Sequence, residues 1–341
     1  MKGAGHIDDA QPATVDEHFK LLQDDRSIFG TEFVKVTPED LPEWFDERLF
    51  KIGQTVYMDN TLGFSIATIS AIAVGLSIPS IAEVLISTKR SSTVSLCFKR
   101  YAETALLIHE LFRSDVLKAD SKWFKAINVI RWKHAIAGKR LHREGHHGIY
   151  MKDMSLTKFG FIGFVLICPE KFGLSHCTLE EMTGFNHFWR VTGHLLGISD
   201  RLNLCRKNVA ETTELCRKLA HDILKTHLDD HSPDVHQLMI YMVKGLSYVD
   251  PTLNTDAIMS LSYECAGAKY TKPLGWNSIF NMKLRETVFY FHSAPYIGVG
   301  TRIFFKYLVR IIYWSTEHYP LLARMAFGKA KSRICLFPKI E

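Results

Sequence analysis

The chain has 341 residues, 47% of them hydrophobic and 23% charged, a globular composition. That length exceeds the roughly 250–300 residues at which one hydrophobic core stops growing, so one large domain or two smaller ones are both open. The net charge of +6 comes from 42 Lys and Arg against 36 Asp and Glu, spread without basic runs, which speaks against nucleic acid as a partner.

Residues 1–23 are polar and acidic, with Asp8, Asp9, Asp16 and Glu17, and fit neither a secretory nor a mitochondrial presequence. Residues 1–38 hold few apolar residues at any period and read as a flexible arm with short helical pieces. Thr37-Pro38-Glu39-Asp40 is a helix-start signal that Leu41-Pro42-Glu43-Trp44-Phe45 continues. Residues 60–82 then run for 23 positions without a charge, enough on paper to span about 30 Å of hydrocarbon. Gly63, Ser65, Thr68, Ser70 and Gly75 suit a closely packed core helix equally well, and Pro79 breaks the run in two. Core and membrane-embedded placements both stay open.

Downstream, apolar residues recur at i, i+3, i+4 and i+7 over 102–117, 121–141, 153–168, 179–196, 209–228 and 233–246, with Ser121, Asp153, Thr178 and Ser232 as caps. A last helix at 300–314 sets Arg302, Lys306 and Arg310 on one face and Ile303, Phe304, Leu308, Ile311 and Ile312 on others. It reads either as a helix lying in a membrane interface or as a core-facing helix with a solvated basic edge. No strand-like alternation bounded by hairpin turns occurs. The expected class is all-α, with one large helical domain over 39–330 and a short tail over 331–341.

Seven cysteines, at 97, 168, 177, 205, 216, 265 and 335, show no CxxC and no paired spacing. They read as reduced, mostly buried small hydrophobes, without a disulfide framework or a zinc site. There is no Gly-x-Ser-x-Gly elbow, no phosphate loop and no dinucleotide fingerprint, and Gly-x-Gly occurs only as Gly298-Val299-Gly300. Hydrolase, kinase and dehydrogenase readings therefore drop out.

Two helical stretches carry residues with chemistry: Arg100-Tyr101-Ala102-Glu103-Thr104 and Arg131-Trp132-Lys133-His134-Ala135. On helices Arg100 shares a face with Thr104, and Arg131 with His134. An imidazole is an axial ligand for haem iron, and arginine binds carboxylates such as haem propionates bidentately. By spacing alone a lone helical histidine is more often a packed residue than a ligand. His142, His146 and His147 would offer two imidazoles at i, i+4 to a non-haem metal if their helix continued, but Gly145 and Gly148 mark its end. His187 and His194, seven apart, either line a pocket or pack.

With Phe161-Ile162-Gly163-Phe164 and the stretch from Phe185-Asn186-His187-Phe188-Trp189-Arg190 to Gly197-Ile198-Ser199-Asp200, these motifs resemble the MpaB and rubber oxygenase (latex clearing protein) superfamily, over residues 60–330. The resemblance implies an all-helical, globin-like core binding haem b, and an oxygenase that uses O2 to cleave carbon–carbon double bonds in a hydrophobic, isoprenoid or lipid-like substrate. It places the proximal iron ligand on His134, distal residues on Arg100, Glu103 and Thr104, and haem partners on Arg100 and Arg131. Rubber oxygenases can carry a lysine where this chain has Glu103, so an amine resting ligand is not available from that position. The carboxylate instead serves as a base toward an allylic proton or pairs with Arg100 or Lys99. Glu83 lies near where the family places a pocket carboxylate. The resemblance also implies an intracellular protein, at the surface of the endoplasmic reticulum membrane as in fungal members or else cytoplasmic. A non-catalytic lipid-binding protein of the same fold is the alternative, and a non-haem metal enzyme using His142 to His147 a third.

Overall fold

Each helical segment of this chain has an apolar side, and burying that side, more than intrinsic propensity, is what stabilises short helices. The computed structural model describes residues 10–230 and 232–340; among them are many helices, one isolated bridge between Ile28 and Tyr150, and no strand. The all-α class is therefore met. In chain order the helices are α1 (Val15–Asp24), α2 (Glu47–Asp59), α3 (Thr61–Gly75), α4 (Pro79–Ser87), α5 (Val94–Arg113), α6 (Lys122–Arg143), α7 (Met151–Ile167) and α8 (Leu179–Leu196). There follow α9 (Val209–Lys218), continued through a π-helical turn at Leu219–Leu224 into α10 (Lys225–Asp229), then α11 (Pro233–Leu246) and α12 (Thr255–Cys265). The last are α13 (Trp276–Ser293), α14 (Ile297–His318), α15 (Leu321–Phe327) and α16 (Lys329–Ser332).

Helices α8 and α11 match the sequence expectation at both ends, because their caps are explicit. Thr178 and Glu181 form a capping box, Gly197 closes α8 in the left-handed conformation, and Ser232 caps α11 with Pro233 at its first position. The helix start expected at Thr37 is a correction. Its capping box yields only a 3-10 turn, Pro38–Asp40, and α2 begins at Glu47 behind the Asp46 cap. Pro42 lacks the N–H that a continuing helix requires.

The flexible arm is likewise not what residues 10–38 form. His18 and Leu22 on α1 are fully buried. Arg206 donates to the carbonyls of Pro12 and Ala13 and bonds His18, while the Asn128 amide accepts from the Val36 N–H at 2.8 Å and donates to its carbonyl at 2.9 Å. Long-range polar tethers hold a segment whose apolar periodicity is too weak to announce it. At the other end of the chain, Ile334 and Leu336 join the same apolar cluster as Leu22.

Residues 60–82 resolve into α3 and part of α4, bent by 92°. Phe64, Ile66, Ala67, Ala71 and Val74 of α3 are buried, and the helix packs along α7. No single helix among the described residues is long and apolar enough to cross a membrane. The core centres on stacked aromatics: Phe112 of α5 lies 3.8 Å from the Tyr57 ring and 3.9 Å from Phe188, each pair worth about 0.5–1.5 kcal/mol beyond area burial. Where α2 crosses α8, Gly53 and Gly184 meet backbone to backbone; a Cβ on Gly53 would lie 2.3 Å from the Gly184 oxygen.

Candidate functional site

Helices α5 and α6 pack as neighbours, and with α4, α7 and α8 they border an open cavity of about 260 Å³. The α5 motif contributes Arg100, Tyr101, Glu103 and Thr104 to its wall, and the α6 motif contributes Lys133 and His134. A second, smaller and more apolar cavity of about 90 Å³ adjoins it, bounded by α3, α5, α11 and α14. The two share Ile72, Tyr101, Thr104, Ile108, Phe161 and Trp189.

His134 has its Nδ1 2.8 Å from the Ile130 carbonyl one turn earlier. A carbonyl only accepts, so Nδ1 carries the proton and Nε2 keeps its lone pair. Burial pushes this imidazole below its ordinary pKa, opposed by the Ile130 carbonyl and assisted by Arg100 and Lys133, so the ring is neutral. That is the tautomer and charge a metal-ligating histidine needs.

Arg100 is the counterpart. Its guanidinium makes one long hydrogen bond, 3.4 Å to the Ser91 hydroxyl, and no ion pair among the described residues. Burial lowers its pKa. By accessible surface the side chain is half-buried, and its guanidinium lies 5.8 Å from the Tyr101 ring centre. A neutral imidazole and an arginine without an ion pair among the described residues thus line one largely apolar cavity.

Glu103 does not pair with Arg100 or Lys99. Its Oε2 accepts from Lys133 Nζ at 2.8 Å and lies 3.8 Å from Arg90, so this buried carboxylate is held by α6. The position that lacks an amine on α5 thus has one delivered to it from α6, tied to a carboxylate. Thr104 donates to the Arg100 carbonyl at 3.0 Å and lies on the wall common to both spaces.

Arg131 is not a pocket residue. Its guanidinium donates to the carbonyls of Val34 at 3.0 Å and Leu195 at 2.7 Å, clasping the N-terminal segment and the end of α8. Glu83 is exposed and bonds His146 at 3.1 Å. Helix α6 ends at Arg143, and Gly145 follows at φ +84°, which separates His142 from His146 and His147. No group of three His, Cys, Asp or Glu among the described residues could hold a metal ion. His187 accepts from the Asp46 N–H at 3.0 Å and packs on Trp44, as does His194; neither lines the cavity.

Three lining residues were not foreseen as functional. The Tyr101 hydroxyl, the Trp189 indole nitrogen and Asp153 Oδ2 are all out of solvent without a hydrogen-bond partner. Asp153 looked like a helix cap. Its other oxygen accepts from the Ser80 hydroxyl at 2.8 Å, and burial raises its pKa, with Glu83 adding to the rise and Lys152 and Arg26 opposing it. Only the fold turns α7 so that this carboxyl meets the cavity. Arg190 and Gly193, in the α8 motif, serve packing. Arg190 is gripped by Asp200 and lies 3.8 Å over Trp44, and a Cβ on Gly193 would lie 2.4 Å from the buried Lys158 amine.

Comparisons with known proteins give no matching family model, no matching curated protein and no matching solved structure.

Proposed function

We propose that this chain is a haem b-dependent oxygenase acting on a hydrophobic, isoprenoid or lipid-like substrate, with O2 as co-substrate and oxidative cleavage of a carbon–carbon double bond as the reaction. The observation that carries the reading is that His134, with Nδ1 turned to a carbonyl, and Arg100, half-buried and without an ion pair among the described residues, line one cavity. His134 would hold the iron, and Arg100 a propionate. The resemblance adds the globin-like character of the haem core. Haem supplies the oxidising chemistry that no side chain here provides.

The chain's own residues do the rest. The Ile130 carbonyl fixes the His134 tautomer, and Glu103 holds the Lys133 side chain in an ion pair. The adjoining space, lined by Phe64, Ile69, Ile108 and Ile312, excludes water and aligns an apolar chain against Thr104 and Tyr101. Asp153, with one oxygen unpartnered, is placed to accept or donate a proton. An association with the endoplasmic reticulum membrane belongs to this reading through the resemblance alone.

The test is an absorption spectrum with a pyridine haemochrome assay on protein expressed with ample haem. A Soret band that disappears in His134→Ala supports the assignment. Absence of both band and iron sinks it. A non-catalytic lipid-binding protein is the second reading, favoured by the Glu103–Lys133 ion pair and by the apolar character of the second space. Uptake of an apolar fluorophore by haem-free protein, with no porphyrin ever bound, would decide for it.

A further inference from the structure

Helical periodicity on α13–α15 provides more apolar side chains than the core takes up. On α14, Val309, Ile312 and Tyr313 face inward onto the second cavity. On its outer side Ile303, Phe304, Tyr307, Ile311 and Trp314 are 52–63% exposed, and beyond them Leu321 is 63% and Met325 85% exposed. Contiguous exposure on this scale marks an interaction surface.

Charge identifies the partner. Residues 276–333 carry Lys283, Arg285, Arg302, Lys306, Arg310, Arg324, Lys329, Lys331 and Arg333 against Glu286 and Glu317. Nine minus two gives +7, whereas the whole chain nets +6, so the remainder is −1. Arg310, Arg324, Lys329 and Lys331 are exposed and make no ion pair among the described residues. Two copies meeting through this face would oppose like charges.

We propose that the outer face of α14, with α15, docks on an anionic lipid bilayer. The apolar side chains enter the acyl boundary, tryptophan and tyrosine sit at head-group depth, and the arginines and lysines meet lipid phosphates and carboxylates. One helix then separates bilayer from cavity, so a lipid-soluble ligand reaches the second space through or beside α14 without crossing water. That last step rests on the function proposed above; docking itself does not.

The experiment is co-sedimentation of the full chain with vesicles of phosphatidylcholine alone or with about 30% phosphatidylserine. Binding is expected to be at least about tenfold stronger to the anionic vesicles, and to weaken as salt rises from about 0.1 to 0.5 M. Phe304→Ser with Ile311→Ser, and separately Arg310→Glu with Arg324→Glu, should each lower partitioning at least about tenfold with circular dichroism unchanged. Quenching by brominated lipid should lose a component in Trp314→Phe. Failure to sediment with anionic vesicles at low salt overturns the proposal. So does a solution dimer that Phe304→Ser with Ile311→Ser converts to monomer, which would assign the face to a second copy. No readout depends on haem, so this proposal and the oxygenase reading stand or fall separately.

Discussion

Glu103 on α5 and Lys133 on α6 are joined by a 2.8 Å ion pair at the wall of the cavity, one residue from His134. The carboxylate is buried and the amine mostly so. Breaking such a pair strands the surviving charge. Glu103→Gln should cost about 2–3 kcal/mol of stability in urea unfolding, and Lys133→Gln a similar amount. The double variant should cost less than the sum by about 1–3 kcal/mol. Strict additivity would mean the pair contributes no coupling.

Arg100 and Arg131 separate by role. Arg131→Ala removes two charge-assisted bonds to carbonyls and should cost about 2–3 kcal/mol of stability while leaving haem per folded protein unchanged. Arg100→Gln should lower haem content and leave haem-free stability nearly unchanged, because its guanidinium makes only one long hydrogen bond and no ion pair among the described residues. Thermal melts alongside haemochrome titration read both.

Acid should destabilise the haem-free protein early. Burial holds His18, His109, His187 and His292 at about 4, down from 6.5. A depressed folded value means that the stabilisation is complete above 6.5 and is lost as pH falls toward 4. Each group contributes a slope of up to about 1.4 kcal/mol per pH unit. His292 has both ring nitrogens buried and unbonded, so His292→Phe should leave stability at neutral pH unchanged or higher and flatten the acid limb. An unaltered slope would clear His292 of any part in it.

Asp153 works in the other direction. Its raised folded pKa gives stabilisation that is full below its unfolded value of 3.8 and lost as pH rises through the folded one. Asp153→Asn, which keeps an acceptor for Ser80, should raise stability at neutral pH by about 1 kcal/mol. Substrate turnover by the haem-loaded protein should fall at the same time. A variant that is more stable and fully active would leave Asp153 outside the chemistry.

Gly53→Ala and Gly184→Ala should each destabilise by about 1–3 kcal/mol or more, since the added methyl meets backbone where α2 crosses α8 and neither helix can yield alone. Urea midpoints close to that of the unaltered chain would show that the crossing relaxes.

The sequence by itself determined the class and most helix positions, because a 3.6-residue apolar period and local caps such as Thr178 with Glu181 act within a single turn. It also brought attention to Arg100, Thr104 and His134, and the fold sets these three on one cavity. Tertiary structure decided what no local pattern encodes. Arg131, three residues from His134, clasps Val34 and Leu195 instead of the cavity. Asp153, fifty residues from Glu103 in sequence, lines the same cavity. Residues 10–38 hold their place through Arg206 and Asn128, distant partners whose pairing leaves no period in the chain. The uncharged run 60–82 becomes a bent, largely buried pair because α7 and α12 pack on it, while the outer face of α14 stays exposed among the described residues. Period and capping are properties of neighbours along the chain; which face is covered, and which charge finds a partner, depends on residues that only folding brings within reach.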